Sequence, residues 1–164
     1  MFEKFIEMYE RGALGDGDIE GIFNFLFGII SNPSKCIYSH NKDNGILIGR
    51  AIWVVTKLID IVSENKTVIE NIFTGISIAL INENSDLSVQ LISCLALITV
   101  SKLLLEKFFP TMVSTTENKD LNKTLTFNNE HLPKVLEKLI NLIQICPEET
   151  LIYPVDTLMG VIKV

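Results

Sequence analysis

The sequence predicts an all-α fold, an α-solenoid of HEAT-type antiparallel helix pairs with about seven helices. Two observations carry this. Apolar residues recur at helical period almost throughout, with no alternating strand pattern of any length. Short polar turns separate the helical runs, and equivalent helices recur about every 40 to 45 residues, the period of two-helix solenoid repeats. In such a stack each pair hides the apolar surface of the next. The 164 residues, 48% of them hydrophobic, suffice to bury a core.

A first helix is expected over about residues 2–11, stopped by "GALGDGD". The second runs from about Asp18, a candidate N-cap, to Ser31, where "NPS" ends it. A polar loop, "KCIYSHNKDN", leads into the third helix, about Ile46 to Glu64. On its wheel Leu47, Ile48, Ala51, Ile52, Val54, Val55, Leu58, Ile59, Ile61 and Val62 fill one half. Arg50, Trp53, Thr56, Lys57, Asp60, Ser63 and Glu64 fill the other. The fourth helix opens on "TVIE", with Thr67 and Glu70 at capping-box spacing, and ends near Asn82. The fifth, about Asp86 to Lys107, is apolar nearly all round, as a helix between neighbours should be.

Residues 111–128 are the most polar stretch and are expected to contain a mobile loop. The sixth helix, about Glu130 to Cys146, has a polar stripe of Lys134, Glu137, Lys138, Asn141 and Gln144. A last segment, Glu148 to Val164, is helical in pattern but interrupted by Pro154. Helices three, five and six are the equivalent members of successive pairs. The chain finishes "DTLMGVIKV", apolar to its last residue, whereas a terminal solenoid repeat needs a polar outer face. Residues 1–164 are therefore expected to be a single HEAT-repeat segment of a longer solenoid.

The net charge of −6 argues against direct nucleic-acid binding and permits basic protein partners. The longest apolar stretch, Leu87 to Val100, is interrupted by Ser88, Gln90, Ser93 and Thr99. It falls short of the roughly 18 to 20 residues of a spanning helix, so no membrane insertion is expected. "MFEKFIEMYERG" has acidic residues and no signal-peptide layout, so no secretory targeting is expected. Cys36, Cys94 and Cys146 lie far apart without a C-x-x-C pair, and read as reduced thiols.

No catalytic constellation is present. His40 and His131 have no Cys, Asp or Glu at ligand or triad spacing. "GDGD" lacks the alternating oxygen ligands and the terminal glutamate of a calcium loop. No phosphate-binding loop or dinucleotide fingerprint occurs. A non-enzymatic protein without cofactor or metal is expected.

The polar stripe of the third helix is the candidate site. Arg50, Trp53, Lys57, Asp60 and Glu64 fall at alternating three and four spacing and line one face. In one reading Trp53 packs on the adjacent repeat and the charges are solvated or paired between repeats. In the other the stripe faces the concave surface and Trp53, partly exposed, anchors a partner peptide. Asp43 and Arg50, like Asp86 and Gln90, flank turns where HEAT repeats place an Asp and a basic residue that form a charge ladder; Gln90 interrupts it.

The run "ILIGRAIWVVTKLIDIVSEN" resembles the second helix of a central repeat in the importin-β (karyopherin-β) superfamily, closest to the importin nine branch. There a segment of the form "xLxGRAxW" begins the inner helix. "IFTGISIALINENSDLSVQLISCLALITV" looks like the next outer helix, turn and inner helix. "LEKFFPTMV" looks like the start of a third repeat, and "HLPKVLEKLINLIQICPEETLIYPVDTLMGVIKV" like an inner helix, turn and outer helix. The resemblance covers about Asp18 to Val164. It implies nuclear transport: a flexible superhelix that shuttles between cytoplasm and nucleus. Its implied partners are basic cargo such as histones, the GTP-bound form of Ran, and phenylalanine-glycine nucleoporins. It assigns no particular contact residue here. The alternative is a generic HEAT-repeat scaffold subunit, of phosphatase or vesicle-coat type.

Overall fold

The computed structural model describes residues 2–31, 44–62, 64–108 and 131–162. In order they form α1 (Phe2–Glu10), α2 (Asp16–Ser31), α3 (Asn44–Leu58), a 3-10 turn (Ile59–Val62), α4 (Lys66–Ile81) and α5 (Leu87–Phe108). Then come α6 (Leu132–Ile145), a second 3-10 turn (Glu148–Thr150) and α7 (Ile152–Val161). There is no strand among the described residues, so the expected all-helical class is the one adopted. The polar run at 111–128, with its expected mobility, lies outside the described residues, as do Cys36, His40 and Asp43.

The helix ends follow from local chemistry. Gly12, at φ 71°, closes α1. Its N–H donates to the Tyr9 carbonyl, and the Ala13 N–H donates to the Met8 carbonyl. That pair of bonds is a Schellman stop, which favours glycine because its left-handed conformation needs no Cβ. Asp18 is not the N-cap of α2, which begins at Asp16. Its Oδ2 instead accepts from the Gly15 N–H at 2.9 Å, the return half of a capping box. α4 is capped by Asn65, whose Oδ1 accepts from the Val68 N–H. Asn is at least as good a cap as Thr, and Thr67 falls inside the first turn. Pro154 does not interrupt the last helix. It is the third residue of α7, where the missing N–H has no intrahelical partner to lose.

The packing has a simple order. α2 packs on α3, α4 on α5, and α6 on α7. α2 also touches α4, and α4 touches α6; α3 touches α5, and α5 touches α7. α1 rests on α3. Helices α3, α5 and α7 run in one direction, because their contacts advance together. Gly45 faces Asp86 and Val89, Gly49 faces Ile92, and Glu64 pairs with Lys107. Farther along, the Thr157 hydroxyl donates to the Cys94 carbonyl at 3.0 Å and Gly160 faces Ser101.

α6 thus sits beside α4, and α7 takes the place beside α5 that sequence spacing assigns to helix six. The small residue Thr157 marks this contact. Its hydroxyl reaches across to the Cys94 carbonyl of α5, and Gly160 lies opposite Ser101 at ordinary contact distance. α6 contributes a conventional apolar stripe, with Val135, Leu139 and Leu142 buried.

α5 is flanked by α3, α4 and α7, which is why its sequence has no broad polar side. Val89, Cys94, Ala96, Leu97, Val100 and Leu104 are all buried. Its Leu87–Leu104 window is long and apolar enough to cross a bilayer by length and composition. The shorter length inferred from Leu87–Val100 is therefore corrected, since the helix continues to Phe108. Half of that window is buried inside the fold.

Burial also separates the thiols. Cys94 is fully enclosed, and removal from water pushes its thiol from the ordinary 9.0 up to about 12. Cys146, at the end of α6, is half-buried. Iodoacetamide at pH 8 is expected to alkylate Cys146 and spare Cys94 until urea unfolds the chain, as read by peptide mass spectrometry. Equal native-state labelling would place Cys94 at the surface. Above pH 9 the thiol ionises in the unfolded chain first, so this group's contribution to stability falls as pH rises towards about 12.

Candidate functional site

The glycines of α3 line a surface groove against α5. Gly45 and Gly49 lie one turn apart, and Trp53 follows one turn later on the same face. A Cβ at residue 45 would stand 2.5 Å from Asp86 Oδ2, and one at residue 49 would stand 3.8 Å from Ile92 Cγ2. At Gly45 the absent side chain lets Asp86 of the α5 start pack against α3, and at Gly49 it leaves room beside Ile92. Trp53, the first large residue in that row, closes one end.

The result is a groove of about 460 Å³. Gly45, Ile46, Gly49, Arg50 and Trp53 line it from α3, and Ser88, Val89 and Ile92 line it from α5. Trp53 is 43% exposed and Ile46 63% exposed. On the opposite arc of α3, Ile48, Ala51, Ile52, Val55 and Leu58 are buried, as is Ile59 of the 3-10 turn. The helix thus presents one face to the core and another to solvent.

The structure divides the predicted stripe. Arg50 and Trp53 share the groove; Lys57 and Asp60 are exposed beyond its lining. Glu64 belongs elsewhere. Its carboxylate pairs with Lys107 at the end of α5, and it lines a second groove with Tyr9, Ile19 and Val68. The cause is the change of helix type after Leu58. An α-helix turns about 100° per residue and a 3-10 helix about 120°, so one wheel cannot describe both.

Gln90, which interrupts the expected charge ladder, has a different task. It is buried, and its Nε2 donates to the Ser85 carbonyl at 2.8 Å. Ser85 Oγ in turn donates to the Ala79 carbonyl. Together they lock the turn between α4 and α5.

Sequence reasoning missed Gly45, Ile46, Gly49, Ser88, Val89 and Ile92 as groove residues. The available signal was two glycines at i and i+4 followed by an aromatic at i+8. Chemically, the groove offers an apolar floor, an indole face and one guanidinium. Such a surface can take an apolar side chain and a hydrogen-bond acceptor together. No group of three or more His, Cys, Asp or Glu residues that could hold a metal occurs among the described residues. Compared with protein-family models, with curated proteins and with solved structures, the chain matches none.

Proposed function

We propose that the chain is a non-enzymatic, protein-binding segment of an importin-β-like nuclear transport receptor, built as a HEAT-type solenoid. The observation that supports it most is the order of helix contacts. α2, α4 and α6 touch in sequence, as do α3, α5 and α7, and each member of the first row packs on the next helix in the chain. Stacked antiparallel pairs produce that order. A closed bundle would instead pack its first helices against its last around one core. Among the described residues no substantial contact joins α2 or α3 to α6 or α7.

The transport part rests on the resemblance of "ILIGRAIWVVTKLIDIVSEN" and the runs after it to central importin-β repeats. In this reading the protein shuttles between cytoplasm and nucleus and carries basic cargo such as histones. It releases cargo to Ran–GTP and meets phenylalanine-glycine nucleoporins at the pore. It uses no cofactor and has no direct contact with nucleic acid or the bilayer interior. The net charge of −6 favours a basic cargo.

The test is a pull-down with the full-length protein immobilised. Ran–GTP is expected to be retained, Ran–GDP not, and bound histone to be displaced by Ran–GTP. Equal retention of the two nucleotide forms, or retention of neither, would overturn the transport reading. A generic HEAT scaffold would then be the better account.

A further inference from the structure

We propose that the α3–α5 groove docks a partner segment that carries an apolar side chain and, one or two residues along, a carboxylate. This rests on the protein-binding reading above and is independent of transport. It also names an occupant different from basic cargo.

The two halves of the proposed occupant follow from the two ends of the groove. The floor runs along Gly45 and Gly49, which bring no side chain of their own, and is walled by Ile46, Val89 and Ile92, with Asp86 packed against Gly45. An apolar side chain seated there loses water on both sides, and the exposed Ile46 and Trp53 surfaces are covered with it. Arg50 is the one charged residue in the lining among the described residues, and it stands at the Trp53 end. Its planar fork favours a carboxylate held by two parallel hydrogen bonds. At the opposite end, Asp86 Oδ2 lies against Gly45. A carboxylate there would meet like charge, and a basic segment would meet Arg50.

The charges therefore set the direction of the occupant. Arg50 is about 4 to 5 Å along the axis from the centre of the glycine floor, at 1.5 Å per residue. An extended segment advances about 3.3 Å per residue, so the acid falls one or two positions from the apolar side chain. Lys57 is exposed one turn beyond Trp53, with Asp60 one turn farther still.

Trp53 is the sole tryptophan of the chain, so its emission reports groove occupancy directly. The probe is acetyl-Gly-Phe-Glu-Glu-Ser-amide, compared with versions carrying Gln or Lys at both Glu positions. The acidic peptide is expected to shift Trp53 emission saturably. The Gln version should bind about fivefold more weakly, as for a solvent-exposed charge pair, and the Lys version more weakly still. Arg50→Gln should abolish the difference between the Glu and Gln peptides. Gly49→Leu, which fills the floor, should remove binding of all three while circular dichroism reports an unchanged helical fold. Equal binding of the three peptides, an acid preference that survives Arg50→Gln, or no saturable shift up to millimolar peptide would overturn the proposal. The Ran pull-down is read independently, so failure of one does not imply failure of the other.

Discussion

Leu97→Asp is expected to leave no cooperatively folded protein at neutral pH. Leu97 is fully buried near the middle of α5, the helix that touches α3, α4 and α7. It lies on the side of α5 opposite the exposed Leu95, Thr99 and Lys102, so a carboxylate there cannot turn to solvent. Burying an isolated carboxylate costs many kcal/mol in a low-dielectric site, and real proteins escape by neutralising it or unfolding. Total stability is only about 5–15 kcal/mol for a domain of this kind. Leu97→Met, which conserves volume, should cost less than about 1.5 kcal/mol and remain folded. Far-UV circular dichroism and a thermal melt distinguish the two. A cooperative melt of the Asp variant near that of the parent would mean that α5 is not the core helix.

The same helix shows which parts of the fold were legible in sequence. A run that is apolar on nearly all sides says that it is surrounded, and α5 is surrounded. It does not say by which helices. Their identity depends on contacts made by small residues, such as Thr157 with the Cys94 carbonyl of α5 or Gly45 with Asp86. Helical periodicity counts apolar positions, and glycines carry no weight in it. That is why the row of α7 and the groove of α3 both escaped notice, although the residues that make them stand in plain view.

Boundaries failed for a related reason. Caps are chosen by competition between neighbouring residues, and Asn65 outcompetes Thr67 by starting α4 earlier. A proline's effect depends on its distance from the helix start, and Pro154 falls within the first turn, where it interrupts nothing. The site stripe was half legible. Arg50 and Trp53 precede the change to a 3-10 turn and hold their predicted relation, whereas Glu64 follows it and joins another groove. Nothing in hydrophobic pattern marks the residue at which an α-helix tightens.

Phenylalanines give the most direct check of where the core lies, because the sequence alone treats them alike. Phe73 on α4 is 1% exposed and is the largest fully buried side chain among the described residues, while Phe25 on α2 is 69% exposed. Phe73→Ala removes a ring from the helix that touches α2, α5 and α6. It forfeits the transfer free energy of the ring and leaves a cavity that stiff, close-packed neighbours can only partly fill. The expected loss is about 3–5 kcal/mol, a large fraction of the total. Phe25→Ala should change stability by no more than about 0.5 kcal/mol, as for an ordinary surface position. Both variants are measured by urea denaturation, with the slope checked against the parent so that a shift in midpoint reports stability alone. A loss below about 1 kcal/mol for Phe73→Ala, or equal losses for the two, would mean that α4 does not carry the core that its neighbours pack against.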